Sequence, residues 1–145
     1  MRKSRLSSTN LKQPVDLRNI QLVIFAGGAG TRFFPTGFQK ALLDVAGKPL
    51  IYWQIRYAIK AGFRQFIIEL GYKADVVRKV VLDNYPQISD NITFHLHDWD
   101  PSERPYGTGR ALYALIRDKV LDASKPVLTL FTDDLYRRVE YVWDL

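Results

Sequence analysis

The chain contains no cysteine, which excludes disulfide frameworks, thiolate metal sites, iron–sulfur clusters and cysteine nucleophiles. It has no apolar run approaching the roughly 20 residues of a membrane-spanning helix, and its N-terminus lacks the apolar core of a secretory signal. These absences predict a cytoplasmic protein that does not enter a membrane. Wholly disordered and collagen-like classes are also excluded, because 47% of the residues are hydrophobic while glycine and proline number only 9 and 7.

The positive charge of the chain is concentrated at its N-terminus. Residues 1–19 carry five basic side chains against one carboxylate, Asp16, so they hold +4 of the net charge of +6. This segment is polar and predicts a flexible basic tail, whereas residues 20–145 predict a single domain. Dispersed charges of this kind bind nucleic acid weakly at cellular salt, so RNA binding through the tail is a third-ranked alternative.

Strand-like and helix-like segments alternate regularly from residue 20 onward. Four apolar or alternating segments predict strands at 20–26, 66–70, 91–97 and 126–131. Three segments with helical periodicity predict helices at 49–61, 74–84 and 108–121. The alternation predicts an α/β fold, specifically a Rossmann-like three-layer α/β/α arrangement with a mostly parallel sheet. Ligands of such sheets bind beyond the carboxyl ends of the strands.

The segment from Ala26 to Arg32, AGGAGTR, follows the first predicted strand and is the most informative part of the chain. Glycines allow backbone amides to line a concavity that binds phosphate oxygens, and the arginine adds donors suited to phosphate. No Lys-Ser or Lys-Thr pair follows these glycines, which disfavours a P-loop. Phe33 occupies the third glycine position of the dinucleotide-binding fingerprint, which disfavours an NAD site.

This segment and those that follow resemble the sugar-phosphate nucleotidylyltransferases, or NDP-sugar pyrophosphorylases. The family's opening reads approximately A-G-G-x-G-T-R-x-x-P, and this chain has AGGAGTRFFP from Ala26 to Pro35. Further matches follow in order at Lys40, Gly47-Lys48-Pro49, Gly71-Tyr72, Tyr106-Gly107-Thr108-Gly109 and Thr132-Asp133-Asp134. The resemblance covers residues 20–135 and implies the N-terminal, nucleotide-binding half of such an enzyme, with the nucleotide-diphospho-sugar transferase fold.

The resemblance implies a reaction that forms an NDP-sugar and pyrophosphate from a nucleoside triphosphate and a sugar 1-phosphate, with Mg²⁺ as cofactor. Arg32 would bind the pyrophosphate leaving group, and Lys40 would neutralise the phosphate under attack. Asp133, or Asp134 in its place, would hold the metal. The implied nucleotide-binding residues are Ala26, Gly27, Gly28, Gly30, Thr31, Gly107 and Thr108.

The sequence departs from the family pattern at several points. Gln39 precedes Lys40 where the family usually has proline, and Thr132-Asp133 or Asp133-Asp134 replaces the family's Gly-Asp pair. The family's sugar-binding half would follow beyond residue 145. Two alternatives therefore stand beside the enzyme: a non-catalytic nucleotide-binding or scaffold module of the same fold, and an incomplete fragment of the enzyme. The nucleotide base, the sugar and the oligomeric state stay open.

Overall fold

The computed structural model describes residues 16–31, 37–96 and 107–133 of the chain. Strands and helices alternate along these residues as the hydrophobic periodicity predicts. In chain order they are β1 (Gln21–Ala26), β2 (Asp44–Val45), β3 (Lys48–Pro49), α1 (Leu50–Ala61), β4 (Gln65–Leu70), α2 (Ala74–Asn84), β5 (Ile92–Leu96), α3 (Thr108–Arg117) and β6 (Val127–Phe131). None of the helices in these ranges is long and apolar enough to span a membrane.

The main sheet has four strands in the order β5-β4-β1-β6, and all its neighbouring strands are parallel. β1 lies between β4 and β6, and all six of its residues are buried. A strand that is covered on both faces has no polar side to expose, which explains its continuous apolar run. The prediction of a mostly parallel sheet is therefore confirmed.

Helices cover both faces of the sheet and form three layers. Leu22 and Ile24 of β1 pack in one cluster with residues of α1 and α2. Val23 and Phe25 point the opposite way, into a second cluster with α3. Because successive strand residues alternate between faces, a single apolar strand serves both halves of the core.

The structure differs from the predicted elements in two places. The helix predicted over 108–121 ends at Arg117, because Lys119 adopts a left-handed φ of 56° and the amides of Val120 and Leu121 both bond to the Leu115 carbonyl. This turn brings Leu121 into the core. The small antiparallel hairpin of β2 and β3 was not predicted, since strands of two residues show no periodicity.

The order of the strands defines where a ligand is expected. From β1 the chain moves outward to β4 and β5, and then returns to β6 on the other side of β1. In open α/β sheets, the crevice at such a reversal, outside the carboxyl ends of the strands, is the usual ligand site. The residues that follow β1 and β6 flank this position.

Candidate active site at the carboxyl ends of the strands

The glycine loop, defined here as residues 27–31, follows β1 and is held by its carbonyl groups. The Gly27 carbonyl accepts a hydrogen bond from the Tyr72 amide at 3.0 Å, and the Ala29 carbonyl accepts one from the Phe38 amide at 2.7 Å. Within the described ranges, the amides of Gly28 and Thr31 donate to no backbone group. The described part of the chain therefore holds the loop by its carbonyl oxygens and gives these two amides no backbone acceptor, and backbone amides in such a loop can bind phosphate oxygens.

Two glycines of this loop have different surroundings. Gly30 has a φ of +62°, and a Cβ atom at this position would lie 2.3 Å from the Phe38 carbonyl oxygen. Gly30 thus allows the chain that precedes Lys40 to pack directly on the loop. An added Cβ at Gly28 would meet no atom within 4 Å, so this residue borders open space. Packing therefore explains why glycine occupies position 30, whereas it gives no reason for glycine at position 28.

Lys40 and Asp133 meet at this edge of the sheet, although 93 positions separate them in the sequence. The Lys40 Nζ atom lies 2.7 Å from Asp133 Oδ2. The Lys40 side chain is 22% exposed and that of Asp133 is 53% exposed, so both charged groups are accessible to solvent. Lys40 Cγ also lies 3.6 Å from the Cβ position of Gly30. A cation, a carboxylate and the glycine loop therefore share one place, next to the point where the strand order reverses.

Gln39 is a buried residue at this edge to which the sequence assigned no role. Its side chain is almost completely buried, with 2% exposed. Nε2 donates to the carbonyls of Ala26 at 2.8 Å and Tyr72 at 2.6 Å, while Oε1 accepts from the Ala41 amide at 3.2 Å. One side chain thus connects the end of β1, the turn after β4 and the short 3-10 helix Lys40–Leu42. A lone polar residue in a loop gives no sequence signal for this role.

The other predicted binding residues lie at the N-terminus of α3 or outside the described ranges. Gly107 caps α3 with a φ of 69°, and Thr108 is its first residue; both are exposed. They lie on the edge of the sheet that carries the glycine loop, because α3 follows the connection from the carboxyl end of β5. Their role in binding the nucleotide stays a prediction. Arg32 and Asp134 fall outside the described residues, so their roles also stay predictions.

Asp133 offers a suitable ligand for a magnesium ion. Mg²⁺ binds oxygen ligands and is commonly held by one or two carboxylates together with substrate phosphates and water. An exposed carboxylate beside the glycine loop fits this pattern. No group of three or more histidine, aspartate or glutamate side chains suited to a metal occurs in the described part of the chain. Substrate phosphates would therefore have to supply much of the coordination.

His95 lies in a different environment. Its ring is buried, and Nε2 is 3.0 Å from Asp118 Oδ2 at the end of α3. The Arg117 guanidinium and the His95 ring both hydrogen-bond the Asp118 carboxylate and hold its pKa well below its usual value of 3.8. This group ties β5 to α3 and lies apart from the Lys40 pair.

This chain is similar in sequence to known proteins. The family model described as "MobA-like NTP transferase domain" matches residues 22–133. Mannose-1-phosphate guanylyltransferase 1 of Arabidopsis thaliana is 32% identical over 117 residues, which are 79% of this chain and 31% of the relative. Glucose-1-phosphate cytidylyltransferase of Salmonella typhimurium is 32% identical over 79 residues, 53% of this chain and 30% of the relative. The chain therefore spans about a third of the length of these relatives.

Solved structures show the same fold. HddC from Yersinia pseudotuberculosis, complexed with GMP-PN, superposes with a TM-score of 0.61 and 32% identity over 76% of this chain and 47% of that protein. A nucleotidyl transferase from Methanothermobacter, Mth528, superposes with a TM-score of 0.58 and 20% identity over 79% of this chain and 50% of that protein. These superpositions confirm the predicted fold class.

Proposed function

Because the chain belongs to the MobA-like NTP transferase domain family, we propose that it transfers a nucleotidyl group from a nucleoside triphosphate to a sugar 1-phosphate. An oxygen of the sugar phosphate attacks the α-phosphorus, and the bond to the β-phosphate breaks. The products are an NDP-sugar and pyrophosphate. The guanylyltransferase and the cytidylyltransferase named above support this class of reaction. Each is 32% identical to this chain, which covers about a third of its length.

The observation that carries the proposal is the meeting of Lys40 and Asp133 beside the glycine loop. Phosphoryl transfer needs little covalent chemistry from the protein, so positioning and charge neutralisation supply most of the rate. A partly exposed ammonium group can exchange a carboxylate for a phosphate oxygen at little cost, since such surface pairs contribute only about 0–1 kcal/mol. In the proposed reaction, Lys40 would therefore pass from Asp133 to the phosphate under attack.

The glycine loop supplies the second part of the mechanism. The amides of Gly28 and Thr31 would bind oxygens of the triphosphate and fix it relative to Lys40. A sugar phosphate is already ionised near neutral pH, so the attacking oxygen needs no general base. Asp133 would hold Mg²⁺, which neutralises charge on the phosphates when bound. Arg32 is proposed, from the sequence alone, to bind the leaving pyrophosphate.

Pyrophosphate release tests the proposal directly. The chain is incubated with Mg²⁺, each common nucleoside triphosphate and a panel of sugar 1-phosphates, and pyrophosphate and NDP-sugar are quantified. We expect both products in equal amounts with at least one pair of substrates. Asp133→Asn should require more Mg²⁺ and reduce turnover by at least about tenfold, since it removes a charge from the site.

Asp83→Asn is the matched control, because Asp83 is equally exposed and pairs with Lys79 within α2. It should turn over substrate as the wild type does. Binding of a nucleoside triphosphate without any product would contradict the catalytic proposal and support a nucleotide-binding module instead. Equal activity of Asp133→Asn and Asp83→Asn would contradict the role given to Asp133.

A further inference from the structure

We propose that Gln39 is the positioning residue that sets the place of Lys40 against the glycine loop. The catalytic part of this inference rests on the proposed function, whereas its structural part does not. Gln39 is adjacent to Lys40 and its side chain is buried, so it acts from beneath the site and does not touch substrate. Its three hydrogen bonds all go to backbone groups, which fix the course of the chain.

The two bonds from Nε2 join the chain at the ends of two neighbouring strands, β1 and β4. One goes to Ala26, the last residue of β1, and the other to Tyr72, two residues beyond β4. The Tyr72 amide in turn donates to Gly27, the first residue of the glycine loop. The Gln39 amide therefore closes a ring of hydrogen bonds around the base of this loop.

The bond to Oε1 fixes the direction of the backbone after Gln39. The side chain of Gln39 caps the 3-10 helix Lys40–Leu42 by accepting from the Ala41 amide. This cap fixes the backbone on both sides of Lys40, and the Lys40 stem then runs past Gly30 to Asp133. A long lysine side chain has many rotamers, so a fixed backbone origin is needed if its ammonium group is to stay at one place.

Only an amide side chain fits all three partners. Nε2 donates both of its hydrogens to carbonyls and Oε1 accepts from an amide, so the side chain must carry a double donor and an acceptor on the same planar group. Glutamate retains an acceptor for Ala41 but sets an oxygen against two carbonyl oxygens. Methionine has similar length and neither donor nor acceptor. Glutamate therefore removes only the bonds from Nε2, whereas methionine removes these and the bond to the Ala41 amide as well.

Hydrogen exchange of individual amides in the 145-residue chain tests the structural part without any activity. In Gln39→Met, we expect the amides of Ala41 and Tyr72 to exchange at least about tenfold faster than in the wild type. In Gln39→Glu, the Tyr72 amide should exchange faster while the Ala41 amide stays protected. Exchange at both amides as slow as in the wild type, in both variants, would overturn the inference.

Gln21→Met is the matched control, because Gln21 is also buried and also bonds to backbone at both ends of its amide, through Asp122. Gln21 lies at the start of β1, at the opposite edge of the sheet. Its substitution should accelerate exchange at Asp122 and leave Ala41 and Tyr72 unchanged. A general loss of protection in both methionine variants would indicate loss of stability and would contradict a local role for Gln39.

A second measurement follows Lys40 itself. Reductive methylation, read by mass spectrometry, should modify Lys40 at least about threefold faster in Gln39→Met, because its ammonium group is no longer held beside Asp133. Lys48 and Lys125 in the same sample serve as internal references. An unchanged ratio of Lys40 to reference labelling would contradict the positioning role.

Steady-state kinetics then connect the residue to the reaction. Gln39→Met should lower kcat by at least about tenfold and change the KM for the triphosphate much less, because the lysine acts on the phosphate under attack. A wild-type chain without turnover would contradict the proposed function and leave the exchange and labelling results standing. Altered exchange and labelling with unchanged kcat in an active chain would overturn the catalytic part of the inference.

Discussion

The two edges of the central sheet use their charged side chains differently. At the edge where the strands begin, Asp122 bonds to Ser124 and Lys125, which follow it within three residues. At the edge where the strands end, Lys40 pairs with Asp133 across 93 positions of the sequence. The first group is a turn that closes on itself, whereas the second exists only because the sheet brings two loops together.

This difference indicates which charges serve the fold. A carboxylate that bonds to the next few residues stabilises its own turn, and any sequence with that turn can form it. Two exposed charges from distant loops contribute little stability, since surface pairs are worth about 0–1 kcal/mol. Their convergence beside the glycine loop therefore points to chemistry. Substitutions in these two classes of charge should therefore differ in their effect on activity.

The largest expected effect comes from Lys40→Met compared with Lys125→Met. Methionine keeps the stem that packs near Gly30 and removes only the charge, so folding should be unchanged. Nucleotidyl transfer should fall by about 10²–10³ in Lys40→Met, the usual loss when one transition-state charge contact is removed. Lys125→Met should retain wild-type turnover, measured by pyrophosphate release. Similar turnover in the two variants would contradict the inference that the Lys40 charge takes part in the reaction and the Lys125 charge does not.

The fold followed from the sequence to a large extent. The apolar run of β1 and the alternation of strands with helices predict a parallel sheet, and the glycine loop predicts the family to which the chain belongs. The order of the strands did not follow, because it depends on packing between segments far apart in sequence. The end of α3 was misplaced, since apolar residues continue beyond Arg117 through a left-handed turn.

The roles predicted for the site residues stay predictions, while the structure shows which of those residues meet. The sequence predicts Lys40, and Asp133 or Asp134, as separate site residues, and the side chains of Lys40 and Asp133 lie 2.7 Å apart. Gln39 was noted only as a departure from the family pattern, because its importance lies in three backbone partners that the sequence does not reveal. Local chemistry can be recognised from residue types, whereas a residue that acts through buried backbone contacts requires the fold.

A smaller effect distinguishes two glycines within the edge where the strands end. Gly30→Ala should destabilise the chain by about 1–3 kcal/mol, because its positive φ is strained for alanine and the Cβ would meet the Phe38 carbonyl. Gly28→Ala should change stability by no more than about 0.5 kcal/mol, since its Cβ would enter open space. Urea unfolding measures both.

The Gly28→Ala variant also tests whether the glycine loop binds the triphosphate. Gly28→Ala should weaken binding of a nucleoside triphosphate by about tenfold, since a methyl group would stand where phosphate oxygens approach the backbone. Calorimetric titration measures this affinity. Unchanged affinity in a stable Gly28→Ala variant would show that the triphosphate does not contact this part of the loop.

The smallest effect concerns Asp118, which bonds to its chain neighbour Arg117 and to His95 and so belongs with the charges that serve the fold. Its pKa is lowered in the folded state, mainly by Arg117 and then by His95, so the carboxylate contributes stability above its ordinary pKa of 3.8. That contribution is lost as the pH falls below this value and through the lowered pKa. The urea midpoint of the wild type should therefore exceed that of Asp118→Asn at about pH 6, and the two midpoints should converge in acid. A difference that is constant with pH would mean that the Asp118 charge does not stabilise the fold, while lost nucleotidyl transfer in Asp118→Asn would connect this group to the site.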